Sequence, residues 1–229
     1  TVGIFADNIT GNINNAGAVD LSGDKSIGIY SAGSNAVTIN NTGTVKVGNS
    51  SNVSDPSIGI YSGIAGNTVT NSGTVTAGDN SIGIYSNTGT VNSSGIMNIG
   101  NAGVGVYGTN AVINLNSGTI NIGTNGAVGV YANNTNVTGG GTVTVGANGL
   151  GMYAKDSNVN LTGMTLNLYG NNALGFYLDG TTNFSGSGNI NVDGQNIALF
   201  NTNSSGSFAN NFNVTSTAGS SYVVGNVNN

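Results

Sequence analysis

An aliphatic residue, a glycine, a second hydrophobic residue and an aromatic ring recur in that order down almost the whole chain. The motif reads Val2-Gly3-Ile4-Phe5, Ile27-Gly28-Ile29-Tyr30, Ile58-Gly59-Ile60-Tyr61, Ile82-Gly83-Ile84-Tyr85 and Val104-Gly105-Val106-Tyr107. It continues as Val128-Gly129-Val130-Tyr131, Leu150-Gly151-Met152-Tyr153, Leu174-Gly175-Phe176-Tyr177 and a decayed Ile197-Ala198-Leu199-Phe200. Successive aromatics stand 25, 31, 24, 22, 24, 22, 24 and 23 residues apart. A period this steady implies one structural unit copied along an axis, each copy touching only its neighbours.

Each period holds three short β-like stretches, which in the second copy are Ser26 to Ser31, Val37 to Ile39 and Thr44 to Val47. The last stretch alternates strictly, with Val45/Val47 around Lys46, Val75/Ala77 around Thr76, Ile120/Ile122 around Asn121 and Leu166/Leu168 around Asn167. In the fourth copy either Ile96 or Met97 joins Ile99 in the apolar set. A period of two is the mark of a half-buried strand. Turns fall at clusters such as Asn40-Asn41-Thr42-Gly43, Asn71-Ser72-Gly73 and Asn116-Ser117-Gly118, which tolerate left-handed backbone. Helix is disfavoured, because Glu and Arg are absent and β-branched residues and the 40 glycines dominate.

The predicted fold is all-β, a parallel β-helix with three short strands per coil and about nine coils of 22–25 residues. Rungs about 4.8 Å apart would make a rod of roughly 43 Å. Residues 1–203 read as regular coils, and 204–229, with Phe208, Phe212 and Tyr222, as a degenerate last coil or the start of another sub-region. A propeller blade needs about 40 residues, and a leucine-rich repeat needs its leucine consensus. Alternation places Ile27, Ile29 and their copies inside, with Gly28 and Tyr30 outside and each ring covering a neighbouring glycine. The opposite phase, tyrosines inside, would expose two Ile/Val stripes.

The Ser-Ile-Gly-Ile-Tyr-Ser units at Ser26 to Ser31, Ser57 to Ser62 and Ser81 to Ser86, joined by Asn-x-Gly-Thr-Val strands, resemble passenger domains of type V autotransporters. The likeness is to the large Asn/Gly/Ser/Thr-rich surface adhesins of fusobacteria and, more loosely, to vacuolating-toxin-like passengers. It covers about residues 1–200. The resemblance implies a right-handed parallel β-helix, exported through a C-terminal outer-membrane barrel and displayed on the bacterial cell surface or secreted. It also implies adhesion to host cells or other bacteria, with a surface receptor or glycan as partner. The chain starts at Thr1 and shows neither signal peptide nor barrel, so it reads as a segment of a longer protein.

The net charge of −5 and three scattered lysines speak against nucleic-acid binding, and no apolar run suits a membrane-spanning helix. With no His, Cys, Glu or Arg, the chain lacks the usual imidazole base, thiolate or guanidinium clamp, so no enzyme activity and no cofactor are expected. Asp24, Asp55 and Asp79 each lie six residues before a repeat tyrosine (30−24, 61−55, 85−79). A regular solenoid would stack them in one column, where neighbouring carboxylates repel by roughly 1 kcal/mol in water. They are read as solvated turn residues or as a Ca²⁺ site; Asn101, Asn125 and Asn171 take the place later on.

Tyr30, Tyr61, Tyr85, Tyr107, Tyr131, Tyr153 and Tyr177 form a candidate ligand strip, against the plainer reading of a structural ring ladder. The insertion at Asn49 to Pro56 should protrude as a loop. Outward threonines (Thr44, Thr74, Thr76, Thr119, Thr142, Thr144) invite an ice-binding reading, but Lys46, Ile96 and Asn121 interrupt them. Three functions stay in view: an adhesive rod, a carbohydrate- or receptor-binding strip, and a polysaccharide-active β-helix enzyme.

Overall fold

The computed structural model describes residues 1–202, 204–217 and 219–227; the side chains of Phe200 and Tyr222 lie outside the described residues. Every motif forms a strand, and these nine strands, with Ser221–Val227 as a tenth, pair in parallel and in sequence order into one sheet. It runs from Val2–Asp7 through Ile27–Ala32, Ile58–Ser62 and their successors to Gln195–Thr202 and Ser221–Val227. The register superposes like on like, with Tyr30 against Tyr61 and Tyr61 against Tyr85. The chain is therefore an all-β parallel solenoid of about nine coils.

The remaining strands of each coil build a thirteen-stranded sheet. In the early coils they are separate pairs, such as Thr38–Asn41 with Thr44–Val47 and Thr90–Ser93 with Ile96–Ile99. From Val112–Ile122 onward the two run on as one long strand, with register shifts at the corner, as between Asn116 and Thr119. The stretch after residue 203 keeps stacking: Phe208–Ser216 pairs with Asn183–Asp193, and Ser221–Val227 with Gln195–Thr202.

The third-stretch alternation is as expected. Val45, Val47, Val75, Met97, Ile120, Leu166, Leu168 and Ile190 are buried, and in the fourth copy Met97 goes inside while Ile96 is 46% exposed. The motif strand departs from simple alternation. Ile29 is buried as expected, but Ile27 is only half-buried and Gly28 points inward. Paired residues skip the glycine, matching Ile27 to Ile58 and then Ile29 to Ile60. Glycine and the following aliphatic thus both face the core, and the tyrosine still falls outside.

Close packing explains the glycine. A Cβ on Gly105 would lie 2.5 Å from the Gly129 carbonyl oxygen and 2.9 Å from Ile120 Cγ2, so only hydrogen fits where the third-strand side chain presses across the core. The rings therefore do not cover the glycines, which are occupied from inside.

Polar residues also enter the interior. Asn41 and Asn71, read as turn residues, are buried at strand ends. Asn15 Nδ2 donates to Asn41 Oδ1, and Asn41 Nδ2 to Asn71 Oδ1, both at 2.8 Å. At another corner each rung caps the one before it: the Thr135 N–H donates to Ser157 Oγ at 3.1 Å, and the Ala111 N–H to Thr135 Oγ1 at 3.3 Å. Such bonds satisfy backbone donors that the bend takes out of the sheet.

Candidate functional site

The inward glycine step leaves two side-chain columns side by side on the outer face of the motif sheet. One is aliphatic and half-buried, running Ile27, Ile58, Ile82, Val104, Val128, Leu150 and Leu174. The other is the tyrosine column, also half-buried. All seven candidate tyrosines are brought together there as a single ladder.

From Tyr61 to Tyr177 the rings stack with centroids 4.5–5.5 Å apart and planes within 6–20°. At the N-terminal end the order loosens, with Tyr30 edge-on to Tyr61 at 82°. Both faces of Tyr85, Tyr107, Tyr131 and Tyr153 are consequently covered by neighbouring tyrosines, and what remains open is their edges. A ring can stack on a sugar or a side chain only through a free face. The ladder thus spends its stacking surface on itself.

Burial raises the phenol pKa of Tyr85 and Tyr131, with neighbouring tyrosines adding to the shift. Tyr153 is raised furthest, first by burial and then because its hydroxyl donates to Asp179 Oδ2 at 3.0 Å. Lys155 Nζ stands 3.9 Å from the same oxygen. These phenols stay protonated at neutral pH, so they act as hydrogen-bond donors rather than bases.

The three candidate carboxylates do not share a column. Asp24 accepts from the Ser51 N–H at 3.0 Å and its hydroxyl at 2.6 Å, and these bonds lower its pKa. Asp55 pairs with Lys25 Nζ at 2.8 Å. Asp79 stacks between amide residues, its N–H donating to Asn49 Oδ1 and its Oδ1 accepting from the Asn101 N–H. Counting back from Tyr61 lands inside the insertion, whereas the stacked position belongs to Asn49, before it. Among the described residues no three acidic side chains gather into a set that could hold a metal ion.

The insertion is an exposed loop held in place by Lys25–Asp55 and by Ser50 Oγ, which donates to the carbonyls of Asn52 and Asp55. Val53 at its tip is 64% exposed. The threonine column is broken by Ile96, which sits between Thr74 and Thr119. Sequence reasoning passed over Tyr169, 48% exposed on the other sheet. The signal available was a tyrosine out of phase with the repeat.

Searches of family models, curated proteins and solved structures give no match to this chain.

Proposed function

We propose that the chain is a rigid structural segment of a bacterial surface adhesin, a stretch of autotransporter passenger that mediates or presents contact with host cells or other bacteria. The observation that carries this reading is the like-on-like register of the nine motif strands, from Val2–Asp7 to Gln195–Thr202, which stack in parallel without a reversal. Such a stack makes a stiff rod in which every internal coil is braced by two others. The repeat units resembling fusobacterial passengers support the surface location and the adhesive role. The same reading makes the segment non-enzymatic, in keeping with a chain without His, Cys, Glu or Arg.

The covered ring faces favour the rod over a carbohydrate strip running the length of the ladder. Beads coated with the folded chain should attach to epithelial cells or to a bacterial lawn well above albumin-coated beads. Attachment at the albumin level in both assays would overturn the adhesive part of the proposal.

A further inference from the structure

Away from the ladder, Tyr169 ends the strand Asn158–Tyr169 and stands in register with Asp193 of the next rung. Among the described residues it belongs to none of the ring pairs that cover the ladder tyrosines. Together with Asn191, Asp193, Thr215 and Thr217 it lines an open groove of about 310 Å³. That is the lower end of the size range for small-ligand sites.

The polar groups in this groove are already oriented. Asp193 Oδ1 accepts from Thr217 Oγ1 at 3.0 Å, and Thr217 Oγ1 lies 2.6 Å from Ser220 Oγ. Asn191 Nδ2 donates to Asn167 Oδ1 at 2.8 Å. None of the side-chain hydrogen bonds among the described residues uses Asp193 Oδ2 or Asn191 Oδ1. All three lysines are paired elsewhere, with Asp55, Asp20 and Asp179, so no cation offsets the Asp193 charge. An anionic ligand would be repelled.

A half-exposed ring beside a carboxylate, an amide and hydroxyls suits a flat molecule with an apolar face and a rim of hydroxyl groups. We propose that the Tyr169–Asp193 groove is a subsite for one neutral sugar residue of a glycan, its apolar face on Tyr169 and its hydroxyls donating to Asp193 and Asn191. The inference deepens the adhesive reading by giving it a ligand class, and it rests on that reading for its biological setting. A single shallow subsite binds weakly, and repeated presentation along a surface would convert weak contacts into adhesion.

Saturation-transfer NMR on the whole chain tests it with galactose, mannose and N-acetylglucosamine as probes, and with sialic acid and choline as controls. At least one neutral sugar should receive saturation, and Tyr169→Ala should weaken its binding about tenfold, equivalent to ~1.4 kcal/mol. Asp193→Ala, on the adjacent rung, serves as a second variant, with circular dichroism checking the fold of both. Tyr107→Ser, in the ladder, should leave binding unchanged. No transfer to any neutral sugar, equal transfer in both groove variants, or a preference for choline or sialic acid would overturn the proposal. If beads adhere while the neutral sugars fail, the groove inference falls and the adhesive reading stands. If the sugars bind while the beads fail, the reverse holds.

Discussion

One methyl group added at Gly105 would meet the Gly129 carbonyl oxygen at 2.5 Å, and rigid rungs on both sides leave little room to yield. Gly105→Ala should therefore cost about 1–3 kcal/mol by overpacking. Gly17→Ala, where an added Cβ meets nothing within 4 Å, should be neutral or slightly stabilising. Thermal midpoints of the two variants measure the contrast, and equal midpoints would remove the close-packing account of the motif. The asparagine ladder offers a test in the other direction. Asn71 faces Ser93 on the next rung, and neither Asn71 Nδ2 nor Ser93 Oγ has a hydrogen-bond partner. Ser93 borders a cavity of about 10 Å³. Ser93→Asn should extend the ladder by one rung and add about 1 kcal/mol in urea unfolding. A lowered midpoint would mean that the corner is too tight for the longer side chain.

Among the elements, the tyrosine ladder couples stability to alkaline pH. Its raised phenols favour the protonated folded state, so their contribution is complete below the ordinary tyrosine pKa of about 10. It is lost as pH climbs from there through the folded-state values. Unfolding free energy should fall above about pH 10, and Asp179→Asn should make that fall shallower by removing the carboxylate charge beside the Tyr153 hydroxyl. A phenolate absorbance titration indistinguishable from that of the unfolded chain would contradict this. The third stretch of each coil was legible in the sequence because its alternation is unbroken. The motif strand was legible only in part. Counting apolar and polar positions carries a period of two through the glycine, and a missing Cβ in the core leaves no mark on such a count. The aspartate column failed because the spacing was measured across an insertion. The Tyr169 groove was hidden because its walls come from successive coils, and no local pattern joins Tyr169 to Asp193.

At the scale of the whole molecule, nine motif strands and the final Ser221–Val227 mark out about nine coils among the described residues, each coil braced only by its neighbours. Excising residues 82–103 joins Ser81 to Val104 and leaves 107−61−22 = 24 residues between Tyr61 and Tyr107, a spacing the chain already uses. The shortened protein should keep its β circular dichroism, with a urea m-value lower by about one part in nine, as the exposed surface scales with length. Loss of cooperative folding would show that the coils are not interchangeable. The insertion near Val53 makes a related point. It lengthens one coil while Ile27 still pairs with Ile58 and Tyr30 with Tyr61, so the stack does not register what happens at that corner. Loop-closure cost grows by only about 0.6 kcal/mol per doubling of length. A foreign epitope spliced between Asn52 and Ser54 should accordingly be displayed at a fixed height on the rod with the melting temperature nearly unchanged, which makes this corner a grafting port.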